Sequence, residues 1–259
     1  MNETIITTSW DDGHSLDLKL RKLLKKYKIP ATFYIPVKNI GRGREFKYLR
    51  GRKPLTFNQI KKIAKDFDIG GHTLNHTDLT KVSLKIAKKE ILEGKKILEN
   101  IIGREIISFS YPWGSYNQEI VELVKKCGFY GARTNHLFVR TMKDPFKMGT
   151  IIRAGMHSKR GYVFNFIRQL INSNDLKFSH FILKNRLFDK SWDQIAIKTL
   201  EFVIENGGIW HLWGHSWELE KNNGWKRLDA VFKRIKNIER TIKLVNTSEL
   251  LRKRYLYVS

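Results

Sequence analysis

The chain has 259 residues, 41% hydrophobic and 29% charged, which is typical of a globular protein and excludes a disordered one. Lysine and arginine number 49 against 25 aspartates and glutamates, and the resulting net charge of +24 favours polyanionic partners. The single cysteine, Cys127, excludes an intramolecular disulfide framework and a cysteine metal cage.

The lysines recur on the polar faces of successive predicted helices, so we interpret them as a solvated basic surface. Met1 leads almost directly into a strand-like run without a signal pattern, and no apolar run approaches the roughly 20 residues that span a bilayer. We therefore expect a cytoplasmic protein, with peripheral contact to a membrane left open and nucleic acid not favoured as a partner.

Short apolar runs alternate with helical patterns through the first half of the chain. The run TIITTSW predicts a strand, and Ser15 is placed to cap the helix that follows and that ends before Pro30. Thr56 and Gln59 form a capping box. Further strands are predicted at ATFYIPV, DIGGHT, IISFSYP and FYGAR, and helices at FNQIKKIAKDF, 83–102 and NQEIVELVKKC.

The second half is less regular but continues the alternation. It contains the strand-like runs TIIRAG, GGIWHLWG and TIKLVNT and the helical patterns SWDQIAIKTLEFVIEN and WKRLDAVFKRIKNI. Seven or eight such units predict a single α/β domain over residues 1–259, with a parallel sheet that is closed as a barrel or open and doubly wound. In both architectures, functional residues collect at the carboxyl ends of the strands.

Residues able to do chemistry follow four of the predicted strands. The first predicted strand is followed by Asp11, Asp12 and His14. Three later strands are followed by HTLNH at 72–76, by YPWGSY at 111–116, and by His211 and His215. Any one of these could occur by chance, but all four lie where the fold would bring them together.

His72 and His76 are four residues apart, a spacing that places both on one face of a helical turn and lets them bind one metal ion. A pair of surface or core histidines is at least as common. A third ligand with an oxygen donor strengthens the metal interpretation, and Asp12 could supply it, which would leave Asp11 as a general base.

Taken together, TSWDDGH, HTLNH, YPWG and GGIWHLWGHSW resemble the motifs of the polysaccharide deacetylases with the NodB homology domain, carbohydrate esterase family 4. The resemblance spans roughly residues 4 to 217. It implies an irregular (β/α)7–8 barrel, a divalent metal (zinc first, with cobalt, nickel or manganese as alternatives) and removal of acetyl groups from glycans.

The resemblance also implies roles for individual residues. Asp11 corresponds to the general base, and Asp12, His72 and His76 to the metal ligands. Pro112, Trp113 and Gly114 correspond to the turn that lines the sugar groove, with the Trp113 main-chain N–H as oxyanion donor. Tyr116 is predicted to lie in the same groove.

A histidine general acid belongs to the last motif, where His211 and His215 compete. We favour His215 because it follows Gly214 at the predicted strand end, and we treat His211 either as a supporting residue near the substrate site or as a hydrogen-bonded histidine inside the barrel. Two family features are missing: an arginine stands two residues before the proline in many members, where this chain has Ser110, and the aspartate-containing fourth motif has no good match. Arg133 and Arg153 are candidates for the missing cation and, like His211, for contacts to the substrate.

We therefore expect a metal-dependent hydrolase that removes an acetyl group from an N-acetylated sugar. The missing signal pattern favours an intracellular sugar, and the positive charge favours one that is lipid-linked or nucleotide-linked. Two alternatives stay open: a related amidohydrolase acting on a non-sugar C–N bond, and a non-catalytic barrel that binds polyanions. The sequence does not specify the sugar, the metal or the oligomeric state.

Overall fold

The computed structural model of the chain describes residues 3–37, 53–156, 159–173, 175–221, 223–238 and 242–253. Most of the basic loop that the sequence places after the second strand, at 38–52, lies outside these ranges. Among the described helices, none has the length and apolar character needed to cross a membrane.

A single sheet of parallel strands forms the centre of the fold. The described strands are β1 (Thr4–Asp11), β2 (Thr32–Ile35), β3 (Asp68–Gly71), β4 (Ser108–Ser110), β5 (Gly131–Arg133), β6 (Ile152–Arg153), β7 (Gly208–Gly214) and β8 (Lys243–Leu244). Their order is β5-β4-β3-β2-β1-β7-β6, and β8 pairs with the beginning of β1. Because all pairs are parallel, every strand ends on the same side of the sheet.

One irregular segment links the two edges of the sheet. The Met148 N–H donates to Ala132 O at 3.0 Å, beside β5, and the Ile151 N–H donates to His211 O at 2.9 Å, in β7. The curled sheet is thereby joined into a barrel-like ring whose eighth side is loop rather than strand. This confirms the predicted α/β class.

Helices cover the outside of the sheet. They are α1 (Asp17–Tyr27), α2 (Phe57–Ala64), α3 (Leu84–Ile102), α4 (Gln118–Lys126), α5 (Lys159–Ser173), α6 (Leu176–Lys184), α7 (Trp192–Asn206), α8 (Gly224–Asn237) and α9 (Thr247–Arg252). The capping box of Thr56 and Gln59 is confirmed, as is the end of α3 at Gly103, which has a φ of 71°. The large core between sheet and helices includes the fully buried Trp10, Trp192 and Trp210.

Two sequence expectations are wrong at the level of local structure. Ser15 does not cap α1: the helix begins after Leu16, whose N–H donates instead to His14 Nδ1 at 3.0 Å. The HTLNH segment is not a helical turn, because Thr73 and His76 have φ values of 63° and 59°. The sequence also gave no indication of α5, α6 or α9.

Candidate metal centre

The site lies at the carboxyl end of the sheet, where β1 ends in two aspartates. Asp12 adopts a φ of 80° and Gly13 a φ of 61°, so the chain turns sharply directly after Asp11. Non-glycine residues rarely adopt such angles, and they concentrate where function requires a fixed geometry. The turn directs the two adjacent carboxylates to different partners.

Asp12 converges with the two predicted histidines. Its Oδ1 lies 3.3 Å from His76 Nε2 and 3.7 Å from His72 Nε2. One ligand atom from each of the three residues lies within 4.8 Å of the others, and all three side chains are buried. A carboxylate and two imidazoles at this separation fit a single divalent ion with coordination positions left over.

Hydrogen bonds orient the two imidazoles towards that point. His72 Nδ1 lies 2.7 Å from the carbonyl oxygen of Ser110, so this nitrogen is the donor and Nε2 is the ring atom that faces Asp12 and is available to a metal. The turn carrying His76 is held by Glu90 of α3, whose Oε2 accepts from the Asn75 N–H at 2.9 Å. Burial lowers the pKa of His76 despite the nearby Asp12 carboxylate, which favours the neutral ring.

The Asp12 carboxylate is ionised in this setting. Burial alone would raise its pKa, but the charge of His215 and the adjacent imidazoles of His72 and His76 hold the pKa well below its ordinary value. An ionised aspartate beside neutral imidazoles is the protonation state that metal binding requires.

Asp11 has a different environment, formed by a buried arginine. Its Oδ2 accepts a hydrogen bond from Arg133 of β5, and the same guanidinium donates to Ser110 Oγ at 2.6 Å. Arg133 is only 2% exposed and stacks over Trp213 at 4.5 Å. A cation therefore lies beside Ser110, and it comes from the neighbouring strand rather than from position 110 itself. The Arg133 guanidinium thus contacts Asp11, whereas we predicted it to contact the substrate.

His215 lies on the other side of Asp12, with its Nε2 3.6 Å from Asp12 Oδ2. Its Nδ1 lies 2.8 Å from Glu218 Oε2, and Glu218 also pairs with Arg153 at 2.5 Å. Burial would lower the pKa of His215, but the Asp12 and Glu218 carboxylates raise it above the ordinary value. The protonated imidazole expected of a general acid is therefore favoured.

Sequence reasoning missed Glu218. Glu218 follows His215 by three residues and lies on the short helix Ser216–Glu220, outside any strand. The composition of that segment resembles a solvated turn. Arg153, which we predicted near the substrate, instead lies against Glu218 and over Trp213 at 5.1 Å. A carboxylate one helical turn after the acid histidine is the only signal that could have identified it.

His211 does not reach the opening. It is 1% exposed, and its Nε2 lies 2.8 Å from Ser9 Oγ inside the barrel. Burial and the charge of Arg133 hold its pKa well below the ordinary value. We therefore remove His211 from the predicted substrate contacts, since an interior side chain with a protein partner cannot contact a sugar without rearrangement.

The proline-aromatic turn forms one wall of the opening. Trp113 is 61% exposed, has a φ of 63°, and its ring centroid lies 4.9 Å from that of His76. Pro112 is buried beneath it, and Tyr116 stacks on Tyr111 at 5.1 Å. An exposed indole beside a metal ligand is placed to stack on the apolar face of a sugar ring.

A further buried carboxyl lies near the centre. Asp17 is fully buried, and burial together with the Asp12 and Asp11 charges, only partly offset by Ser216 and His215, raises its pKa to about 8. The group is therefore mostly neutral at pH 7 and adds no further negative charge to those of Asp11 and Asp12. We had assigned it no role.

Comparison with known proteins supports the resemblance read from the motifs. A family model described as polysaccharide deacetylase matches residues 1–132. A peptidoglycan-N-acetylglucosamine deacetylase of Bacillus cereus is 31% identical over 130 residues, which are 49% of this chain and 55% of the relative. The chain spans about half the length of the curated relatives it matches.

Solved structures extend the similarity of fold over nearly the whole chain. The Xyl-CE4 domain of a xylanase from the hindgut metagenome of Trinervitermes trinervoides has a TM-score of 0.54 at 15% identity, covering 98% of this chain and 92% of that domain. The pseudoenzyme BA3943 of Bacillus anthracis, of the CE4 family, has a TM-score of 0.57 at 14% identity, covering 96% of this chain and 66% of that protein. These neighbours confirm the predicted NodB-like barrel.

Proposed function

Because the chain belongs to the polysaccharide deacetylase family, we propose that it is a metal-dependent hydrolase that releases acetate from an N-acetylated sugar. One observation carries the proposal: Asp12, His72 and His76 converge at the carboxyl end of the sheet, and Asp11 and His215 flank them. A non-catalytic barrel would not require this full set of titratable groups around one point.

The three ligands suit zinc, and cobalt, nickel and manganese are compatible with the same donors. When bound there, the ion would polarise the acetyl carbonyl and lower the pKa of water. Asp12 and the two Nε2 atoms of the histidines are the groups that would hold it.

The remaining residues would move protons and hold the substrate. Asp11 takes the proton of the attacking water, while Arg133 fixes the orientation of its carboxylate. The Trp113 main-chain N–H stabilises the negative oxygen that develops on the acetyl carbon. His215, oriented by Glu218, gives its proton to the sugar nitrogen as the C–N bond breaks, which yields acetate and a free amine.

For the substrate, we favour an N-acetylated sugar attached to an anionic carrier, a nucleotide or a lipid diphosphate, because the net charge of +24 attracts such groups. Cell-wall glycan is the second candidate, since relatives are described as peptidoglycan deacetylases. Both share the acetamide on which the site would act.

The test is acetate release from a panel that contains chito-oligosaccharides, peptidoglycan fragments, and nucleotide-linked and lipid-linked N-acetyl sugars. The purified protein is assayed as isolated, after chelation, and after zinc is restored. We expect acetate from at least one acetamido sugar, loss of activity on chelation and its return with metal. A protein that binds zinc stoichiometrically and releases no acetate from any of them would contradict the proposal.

Faster release from the carrier-linked sugars than from neutral oligomers would support the anionic carrier. The reverse order would favour cell-wall glycan.

A further inference from the structure

Two consecutive helices, α5 and α6, expose apolar side chains to an unusual degree. Phe164 and Ile167 of α5 are 66% and 52% exposed, and Leu176 and Leu183 of α6 are 76% and 55% exposed. Single exposed apolar residues need no explanation, but a group on adjacent helices marks an interaction surface.

Helical spacing places these residues on faces that turn away from the core. On α5, Tyr162 and Phe166 are buried, and Phe164 lies between them in sequence on the opposite side. On α6, Phe178 and Ile182 are buried, while Leu176 and Leu183 are seven residues apart and share the outer face. Each helix thus has one apolar face in the core and a second one in solvent.

Cations accompany the outer apolar side chains. Residues 159–190 contain seven lysines and arginines and only two aspartates. Those aspartates, Asp175 and Asp189, are paired with Arg140 and Lys159.

The cations lie beside the exposed side chains along each helix. Arg160 stands one helical turn before Phe164, and Lys177 and Lys184 each follow an exposed leucine. A segment that combines exposed phenylalanine, isoleucine and leucine with a fringe of positive charge has the chemistry of a helix lying in a membrane interface.

We propose that the outer faces of α5 and α6 bind the surface of an anionic lipid bilayer, with Phe164, Ile167, Leu176 and Leu183 entering the interface and the neighbouring cations contacting lipid phosphates. Charge complementarity favours this occupant over a second copy of the chain, because two copies would bring like charges together on a protein of net charge +24. The surface does not depend on the catalytic proposal.

The helices are close to the opening of the site. α5 begins six residues after Arg153, and Asn165 Oδ1 accepts from the Leu137 N–H at 3.4 Å. Burial and the nearby charge of Arg168 in α5 lower the pKa of His136, and the ring centroid of Tyr116 lies 5.8 Å from that of His136. Docking would therefore place lipid on a helix that also packs beside the Tyr116 side of the candidate site, a consequence that rests on the proposed function and favours a lipid-linked sugar.

Co-sedimentation of the full chain with vesicles tests the surface. We expect binding to vesicles of phosphatidylcholine and phosphatidylglycerol in roughly equal parts, and little binding to phosphatidylcholine alone. The variant F164S/I167S should bind the anionic vesicles at least about tenfold more weakly, since it removes two side chains from the apolar contact. L176S/L183S on α6 is a second, independent variant.

The matched control is F57S, which removes another exposed phenylalanine, 43% exposed, from α2. It should bind like the wild type, and circular dichroism shows whether each variant is folded. Wild-type affinity in both folded double variants would overturn the proposal. So would a change in oligomeric state on substitution with unchanged vesicle binding, which would assign the faces to a second copy.

Activity separates this proposal from the catalytic one. F164S/I167S should release acetate from a soluble acetamido sugar at the wild-type rate, because neither residue is placed in the catalytic machinery. If no substrate yields acetate, the vesicle result still decides whether the surface binds lipid.

Discussion

At the scale of single residues, the two adjacent aspartates have separate surroundings although one peptide bond joins them. Asp11 contacts Arg133, whereas Asp12 faces two histidines. The sequence was sufficient to predict separate roles for the two aspartates, because Asp12 with His72 and His76 makes a set of ligands suited to a divalent metal ion. It could not identify Glu218, since neither spacing nor strand position set that carboxylate apart from a solvated one.

Glu218 is expected to set the pH range of activity. A general acid loses its proton, and the enzyme its activity, as the pH rises through the pKa of that acid. The Glu218 carboxylate helps to raise the pKa of His215. Glu218→Gln removes that contribution, so the alkaline limb of the rate profile should move to lower pH and kcat at pH 8 should fall. The pH dependence of kcat measures the shift.

Glu220→Gln is the matched control, because Glu220 lies on the same short helix but pairs with Lys19 at the surface. Its profile should coincide with that of the wild type. An unshifted alkaline limb in Glu218→Gln would show that the carboxylate does not act through His215.

The pair of Arg133 and Asp11 should be strongly coupled in stability. Both side chains are buried, so Arg133→Met leaves the Asp11 carboxylate without its cation and should lower the free energy of unfolding by about 3–5 kcal/mol. The double variant R133M/D11N should recover a large part of that loss, because the unpaired charge is gone. Denaturant unfolding of the wild type, both single variants and the double variant gives the coupling energy, and additive losses would contradict the pairing.

At the scale of helices and strands, local signals predicted elements well where caps and periodicity agreed. The starts of α2 and α3 and the end of α3 follow from Thr56, Ser83 and Gly103. The sequence did not reveal α5 and α6, because each exposes apolar residues on the face that a surface helix normally keeps polar. The same departure from amphipathic order is what indicates an interaction surface.

The cap of α4 links an element to the site. Asn117 directly follows Tyr116 in sequence, and its Oδ1 accepts a hydrogen bond from the Ile120 N–H at 2.9 Å. Asn117→Ala should lower the free energy of unfolding by about 1 kcal/mol, whereas Asn117→Ser, which keeps a capping oxygen, should cost only a small part of that. Thermal or denaturant unfolding compares them, and equal losses in both variants would mean that the side-chain bond is not what stabilises the helix start.

At the scale of the whole molecule, the alternation of strands and helices was sufficient to predict a parallel α/β domain with its chemistry on one side. The alternation alone left a closed barrel and an open sheet as alternatives, because the backbone hydrogen bonds of Met148 and Ile151 that join β5 to β7 lie outside the described strands. Composition gives the net charge, but only the folded structure shows that positive residues lie beside exposed apolar faces on α5 and α6.

The most direct test of the account measures bound zinc and acetate release in two adjacent variants, Asp12→Ala and Asp11→Asn. Asp12→Ala should lose both, because it removes a ligand that lies within 4.8 Å of the histidine donors. Asp11→Asn should retain stoichiometric zinc and lose turnover by at least about 10²-fold, since only the proton acceptor is changed. Wild-type metal content and activity in Asp12→Ala would contradict the account.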